Sequence, residues 1–152
     1  MSAPEERLAA LGLTVPEVPK PVAVYVPAVR SGNHVFTSGQ LPMRGGELMM
    51  TGKVGGEVTQ DEAIECAQQC ALNAIAAIKA ELGDLALVKR VVRVGAFVAS
   101  TPDFTGQPQV ANGASELFGA AFGEAGVHAR SAVGVPVLPL DSPVEVDLVV
   151  EI

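Results

Sequence analysis

The sequence is poor in aromatic residues and in positive charge. Aromatic side chains make up 4% of the 152 residues and tryptophan is absent, while 10 Lys and Arg face 17 Asp and Glu, giving a formal net charge of -7 at pH 7. Such a surface repels a phosphate backbone, and few rings are available to stack on bases. The composition therefore argues against nucleic acid as a partner.

Long apolar runs are also missing. No segment reaches the roughly 18 consecutive apolar residues that a membrane-spanning helix requires. The N-terminus carries Glu5 and Glu6 where a secretory signal peptide would carry positive charge. We therefore expect a cytoplasmic protein without a membrane partner.

Cysteine and histidine are scarce, with two of each. Cys66 and Cys70 are four residues apart in a strongly helical segment, so they share one helix face and cannot join distant parts of the chain. His34 and His128 are remote from them in sequence, which leaves too few ligands for a zinc site. We predict two buried free thiols and no metal.

What the sequence does contain is enough apolar residues for one core. Hydrophobic residues make up 49% of the chain, which suffices for a single domain at this length. Residues 4–12 are predicted to form a short helix, followed by a stretch with several prolines. We interpret residues 1–21 as an N-terminal helical appendage and residues 22–152 as a single domain.

Hydrophobic periodicity predicts an α+β domain with the order ββ(β)αβαββ. Its first helix is predicted to begin after Thr59, where Thr59 and Glu62 form a capping box, and to end at Gly83. A second, Ala/Gly-rich helix is predicted at 109–125. Strands are predicted at 22–29 and 34–40 (joined by a turn at 30–33), 86–98, 130–138 and 143–152, with a short strand-like piece at 48–51.

The predicted sheet has one face without a cover, because two helices can cover only one face. One side of the last strand is formed by Val144, Val146, Leu148, Val150 and Ile152. We expect this Val face to point away from the helices and to be covered by further copies of the chain. The pattern therefore predicts an oligomer.

Residues 46–54 resemble a phosphate-binding loop, but the match fails in detail. The segment has one spacer residue too many, and Val54 occupies the position of the Mg²⁺-binding Ser or Thr. A Gly-rich turn between strands explains the segment fully.

Arg130 is the candidate binding residue. It shares a strand face with Ala132 and Gly134, and the space over these small residues suits a bidentate grip on a small carboxylate. A cross-strand ion pair with Glu145 or Asp147 on the last strand explains Arg130 at least as well.

Several different short motifs are distributed along the whole domain. They are Tyr25–Val29, Phe36–Pro42, Val110–Asn112 with Glu116 and Phe118, Ala129–Ser131, and Val144–Val146. Together they resemble the Rid/YjgF family, the reactive intermediate deaminases with a chorismate-mutase-like fold. The order and spacing of Thr-Ser-Gly-Gln-Leu-Pro and Ala-Arg-Ser agree with that family, and the resemblance covers about residues 22–152.

The resemblance implies a mixed sheet with two helices on one face, assembled as a homotrimer with a pocket at each subunit interface. It also implies hydrolytic deamination of small enamine or imine intermediates to 2-keto acids and ammonia, without a cofactor. In this chain Arg130 would bind the substrate carboxylate and Glu145 would orient the attacking water. The pocket would be lined by Tyr25, Ser38, Gly39 and Asn112.

Ala132 stands where the best-known members of that family carry Cys. This departure keeps open a second function, that of a non-catalytic trimer that binds small carboxylic metabolites as a sensor or carrier. An RNA-cleaving role suits parts of the family but not a net charge of -7 with few aromatic residues.

The register of the last two strands also stays open. A turn centred on Leu138-Pro139 would pair Ala132 with Glu145 and bring this carboxylate near Arg130. A turn centred on Asp141-Ser142 would instead separate the two charged residues by roughly 25 Å.

Overall fold

The computed structural model describes residues 1–18 and 24–152, and within them it confirms the α+β class. The helices are α1 (Ala3–Ala10), α2 (Gln60–Leu82) and α3 (Gln107–Phe122). The strands are β1 (Ala28–Ser31), β2 (His34–Thr37), β3 (Met43–Arg44), β4 (Glu47–Leu48), β5 (Arg90–Ala99), β6 (Ala129–Val135) and β7 (Val144–Glu151).

The longest helix, α2, has the ends that its sequence predicts. The Thr59 hydroxyl accepts a hydrogen bond from the Glu62 backbone N–H at 3.2 Å, and Gly83 follows the last turn with a φ of 81°. The next helix, α3, begins two residues earlier than predicted, because Pro108 fits the first turn of a helix. Its predicted last turn is a 3₁₀ turn at Gly123–Gly126.

The first hairpin is confirmed, with a tighter turn than predicted. Ser31 pairs with His34, so the turn consists of Gly32 and Asn33 alone. Gly32 has the positive φ, 58°, that tight two-residue hairpin turns favour. β1 is shorter than the predicted strand, whose first two residues lie outside the described part of the chain.

The other strand predictions also change at their ends: β2 ends at Thr37 and β6 at Val135, each three residues earlier than predicted. β5 begins later than predicted, because Leu85–Leu87 form a 3₁₀ turn. The side chain of Asp84 caps this turn by accepting a hydrogen bond from the backbone N–H of Ala86. The predicted piece at 48–51 contributes only Leu48 to a strand, β4, which pairs with β3 in a separate two-stranded sheet.

The main sheet has five strands in the order β1-β2-β7-β5-β6. β5 and β6 are parallel, joined by α3 as a parallel pair requires, and the other neighbours are antiparallel. β7 returns on the far side of β5. Both registers considered for the last two strands are therefore wrong, because β6 and β7 are not neighbours.

The core lies between the helices and one face of this sheet. The buried residues of β7, which point toward α2, are Val144, Val146, Leu148 and Val150. The expectation that this Val face points away from the helices is wrong, because an apolar strand face is stabilised by burial against the apolar stripe of a helix. The other face, here called the open face, carries Glu145, Asp147, Val149 and Glu151 on β7.

The open face also carries apolar side chains on neighbouring strands. Val29 pairs with Phe36, and Phe36 with Val149, while Val133 of β6 lies beside Phe97 of β5. The relative exposures of Val29, Phe36 and Val133 are 54%, 44% and 43%. An exposed apolar surface of this kind is typical of a surface that binds a partner.

The short N-terminal helix predicted at residues 4–12 is confirmed as α1, which begins one residue earlier and ends at Ala10. It packs against α3, and its Leu8 is fully buried in the same core as the sheet. Lys79 of α2 forms an ion pair with Glu5, and this hydrogen bond is the main reason that the pKa of Glu5 is lowered to about 2. The division into an appendage at 1–21 and a domain at 22–152 stays a prediction.

Gly113 provides a test of the close approach between α2 and α3. A methyl carbon built on Gly113 would lie 2.2 Å from the backbone oxygen of Ile64. Gly113→Ala must therefore push the helices apart, and we expect it to lower the free energy of unfolding by about 1–3 kcal/mol. Urea unfolding at one protein concentration measures this loss.

Gly119 is the matched control, since it lies in the same helix and its methyl would meet nothing within 4 Å. Gly119→Ala should stabilise the protein by about 0.5–1 kcal/mol, because alanine favours the helix over glycine. A similar loss of stability in both variants would contradict the close approach at Gly113.

Candidate functional site

Arg130 is the second residue of β6, at the edge of the sheet, and its side chain reaches across to α3. Its Nη1 donates hydrogen bonds to Asn112 Oδ1 at 2.8 Å and to Ser115 Oγ at 3.0 Å. Its Nη2 donates to the backbone oxygen of Pro108 at 3.1 Å. The guanidinium is therefore held on one side by three oxygen atoms of α3.

The remaining donors of Arg130 can bind a ligand. A guanidinium has five N–H groups, and the three hydrogen bonds to α3 leave the Nε–H and one Nη2–H without a partner among the described residues. Arg130 is also partly exposed. An arginine that is held in place and still has donors to offer is suited to bind a carboxylate.

The ion pair considered as an alternative for Arg130 is absent among the described residues. The ion pairs there are Lys53 with Asp141 and Lys79 with Glu5. Arg130 points to α3 on the helix face, whereas Glu145 and Asp147 lie on the open face. Within one chain, the structure thus removes the alternative explanation of Arg130 as an ion-pair partner of Glu145 or Asp147 on β7.

Glu145 lies on the open face beside Gly39. A methyl carbon built on Gly39 would lie 2.7 Å from Glu145 Oε2, so only glycine leaves room for this carboxylate. Burial raises the pKa of Glu145, and the negative charge of Asp147 raises it further. Both effects make Glu145 a better proton acceptor than an exposed glutamate.

The pKa of Asp147 is also raised by burial, but two neighbours oppose the effect. Arg93 and the backbone N–H of Gly95 both favour its charged form. Arg93 in addition donates a hydrogen bond from Nη2 to Ser131 Oγ at 3.0 Å. The charge of Asp147 is therefore partly compensated, whereas no cation among the described residues lowers the pKa of Glu145.

Tyr25 and Ser38 are connected to Gly39, the neighbour of Glu145, through the chain and one hydrogen bond. Ser38 precedes Gly39, and its hydroxyl donates to the backbone oxygen of Val26 at 2.6 Å, which ties the segment before β1 to the end of β2. Tyr25 directly precedes Val26 and is 67% exposed. We call Tyr25, Ser38, Gly39 and Glu145 the acidic half-site.

Arg130, Asn112 and Ser115 form the second group, here called the arginine half-site. Among the predicted site residues, the structure brings Asn112 to Arg130 and Gly39 to Glu145. It does not bring the two half-sites together in one protomer, because they lie on opposite faces of the sheet. Ala132 lies on the helix face with Arg130, and its methyl is partly buried against the core.

Sequence reasoning missed Ser115. Asn112 and Ser115 are three residues apart on α3, so they share a helix face. This spacing is the signal that could have found Ser115. The face of α3 that carries Asn112 packs near β6, the strand that follows α3 and carries Arg130, so a polar residue one turn after Asn112 also lies near Arg130.

A shallow pocket of about 330 Å³ lies near the start of α3 and the end of β6. Its lining includes Ser100, Phe104, Gln107 and Gly134 and has no titratable side chain. Across the described residues, no cluster of three or more His, Cys, Asp or Glu is placed to hold a metal ion. Nor is any helix there long and apolar enough to cross a membrane.

Comparisons with known proteins extend the resemblance along nearly the whole chain. The family model described as "YjgF/chorismate mutase-like, putative endoribonuclease" matches residues 5–152. Protein TCP17 of Trypanosoma cruzi is 47% identical over 143 residues, which cover 93% of this chain and 89% of that protein. A 2-iminobutanoate/2-iminopropanoate deaminase of Dermatophagoides farinae is 34% identical over 142 residues, covering 92% and 94% respectively.

Solved structures agree with these sequence matches. A crystal structure of an Agrobacterium tumefaciens protein of unknown function superimposes with a TM-score of 0.93 at 46% identity. The superposition covers 99% of this chain and 93% of the other.

The two cysteines are expected to be unreactive in the folded protein. Cys66 and Cys70 are both fully buried, and burial raises the pKa of Cys66 to about 11 and that of Cys70 well above its ordinary value. Since the thiolate is the nucleophile, iodoacetamide at neutral pH should leave native protein unmodified. Mass spectrometry measures the labelling.

Urea-unfolded protein is the control and should gain two labels. Rapid labelling of either cysteine in the native protein would show that the helix is more open than the structure indicates.

Proposed function

The chain belongs to the YjgF/chorismate mutase-like (Rid/YjgF) family and has its fold, and on this premise we propose that it hydrolyses small enamine or imine intermediates to 2-keto acids and ammonia. The observation that carries the proposal is Arg130, held by α3 with donors left for a carboxylate. The relative from Dermatophagoides farinae, described as a 2-iminobutanoate/2-iminopropanoate deaminase, adds support. The chemistry needs no cofactor.

The two half-sites meet only if protomers assemble, and we propose a homotrimer. A ring in which the β6–α3 edge of one protomer meets the open face of the next is a closed heterologous assembly. It would cover the exposed apolar side chains of that face, including Val29 and Phe36. Each interface would then hold one arginine half-site and one acidic half-site.

In this arrangement the reaction needs few groups. Arg130 binds the substrate carboxylate, and Glu145 of the neighbouring protomer orients a water near the imine carbon. The water oxygen bonds to the carbon of the protonated imine, the π pair of the C=N bond passes to the nitrogen, and Glu145 accepts one water proton, which leaves a neutral carbinolamine. Glu145 then returns this proton to the nitrogen; the C–N bond breaks as the C=O bond forms, and the hydroxyl proton passes to Glu145 and from there to the released ammonia, leaving the 2-keto acid. Positioning and proton transfer supply the rate enhancement.

Ala132 supports a second candidate, a trimer that binds small carboxylic metabolites without catalysis. The methyl of Ala132 can neither hold a water nor take a proton. Ammonia release from freshly generated 2-aminoacrylate, with and without the protein, separates the two functions. Faster release with protein supports the deaminase, and an unchanged rate combined with carboxylate binding supports the binder.

The shared site predicts complementation between two inactive variants. Arg130→Ala should lose on the order of 2–4 kcal/mol of binding or transition-state stabilisation, because a bidentate charged contact is removed. Glu145→Gln should lose proton acceptance. When the two variants are unfolded together and refolded, roughly one quarter of the interfaces in a random ring combine an intact arginine with an intact glutamate. Activity should therefore return to about a quarter of the wild-type rate.

Each variant refolded alone is the control and should stay inactive, with a trimeric mass in sedimentation. Arg130→Lys should recover only part of the loss, because lysine offers a point charge in place of a planar fork. Absence of complementation between correctly assembled variants would place the site within one protomer or elsewhere.

The charge of Asp147 beside Glu145 leads to a prediction about how kcat/KM depends on pH. Glu145 must be ionised to accept a proton, so activity should fall as the pH drops through its pKa, which is raised above the ordinary value of 4.5. Asp147→Asn removes the negative charge that contributes to this shift, although burial remains. The acid limb of kcat/KM, measured between about pH 5 and 8, should therefore move to lower pH in this variant. An unchanged or higher midpoint would contradict the assignment of Glu145.

A further inference from the structure

His128 is connected to Arg130 through one hydroxyl group. The ring nitrogen Nδ1 of His128 lies 2.6 Å from the backbone oxygen of Gly126, and Nε2 lies 2.9 Å from Ser115 Oγ. Ser115 Oγ in turn accepts a hydrogen bond from Arg130 Nη1 at 3.0 Å. The four groups therefore form one continuous chain.

The donors and acceptors of this chain can be assigned from their partners. A carbonyl oxygen only accepts, so Nδ1 of a neutral His128 carries the proton and Nε2 is left as an acceptor. The Ser115 hydroxyl then donates to Nε2. Its lone pairs are thereby directed to Arg130, which can only donate.

The ring of His128 is also held by packing. It contacts the edge of Phe118 with ring centroids 6.0 Å apart and an interplanar angle of 89°, and Phe118 is fully buried. Gly126 is buried as well, since a methyl carbon there would lie 2.3 Å from the backbone oxygen of Phe118. The His128 ring is therefore in contact with two buried residues, Phe118 and Gly126.

We propose that Ser115 and His128 are positioning residues for Arg130, which select the orientation in which its guanidinium meets a carboxylate. The inference rests on the proposed role of Arg130. Without the bond to Nε2, the Ser115 hydroxyl could rotate and donate elsewhere, and Nη1 would lose one of its two acceptors. The guanidinium would then be held by Asn112 and Pro108 alone.

Two single variants and the double variant test the series of hydrogen bonds from Arg130 through Ser115 to His128. Ser115→Ala removes the hydroxyl and keeps a good helix former. His128→Phe keeps a ring against Phe118 but removes Nε2. Ser131→Ala is the matched control, because Ser131 follows Arg130 directly but its hydroxyl accepts from Arg93 on the opposite face. All are compared with the wild-type protein and with Arg130→Ala.

The first readout is the affinity for 2-oxobutanoate, measured by calorimetry. Ser115→Ala should weaken binding roughly tenfold and His128→Phe about threefold, since each removes a hydrogen bond from a chain that ends on a charged group. The double variant should bind no more weakly than Ser115→Ala, because His128 acts only through Ser115. Effects of the two substitutions that multiply, or wild-type affinity in Ser115→Ala, would overturn the proposal.

The second readout is the NMR spectrum of protein labelled with ¹⁵N and ¹³C at arginine. A held guanidinium rotates slowly and gives separate Nη signals, and those of Arg130 are identified by their loss in Arg130→Ala. In Ser115→Ala and His128→Phe these signals should merge or broaden, while Ser131→Ala should leave them unchanged. Arg130 signals that stay sharp and separate in both test variants would overturn the proposal.

This readout separates the positioning role from the proposed function. If wild-type protein released no ammonia but the Arg130 signals depended on Ser115 and His128, the deaminase would be excluded and the positioning role supported. If ammonia release were normal in both variants and their Arg130 signals were unchanged, the positioning role would be excluded and the deaminase retained.

Discussion

The position of β5 between β6 and β7 determines what the candidate residues can do. Its parallel register places Arg130 beside Val94 on the helix face, and its antiparallel register places Glu145 beside Phe97 on the open face. Because successive residues of a strand point to opposite faces, no rotation of the side chains brings these two groups together within one protomer. Any chemistry that uses both must therefore take place between protomers.

The open face accommodates partly buried carboxylates because glycines lie beside them. Methyl carbons on Gly39 and Gly95 would approach Glu145 Oε2 and Asp147 Oδ1 to 2.7 and 2.4 Å. The carboxylates lie against the backbone of neighbouring strands, and this burial raises both pKa values. Arg93 opposes the shift for Asp147 but not for Glu145. Carboxylates with pKa values perturbed by burial and by a neighbouring charge are common at functional sites.

The sequence predicted features that depend on local interactions, such as the ends of a helix. It did not predict features that depend on how the elements pack together, such as the order of the strands. The capping box at Thr59 and the terminal Gly83 defined α2 correctly, and Arg130 stood out as a charged residue among small ones. The strand order was missed although the strand-helix-strand segment before Arg130 favours a parallel pair. The Val face of β7 was assigned to the wrong side, although its alternation with Glu145 and Asp147 indicates an apolar face toward the core and a polar face away from it.

The two candidate functions, carboxylate binding and imine hydrolysis, require different half-sites. In the arginine half-site Asn112 Oδ1 accepts from Arg130, Ser115 Oγ accepts from Arg130 and contacts His128 Nε2, and Ala132 offers only a methyl. Arg130, Asn112 and Ser115 include no general base, so in the proposed function this half-site alone would bind the carboxylate but would not hydrolyse the imine. In the proposed function Glu145 would accept the proton, and no cation among the described residues compensates its charge. Binding would then need one protomer and catalysis two, so that assembly itself would convert a binding site into an active site.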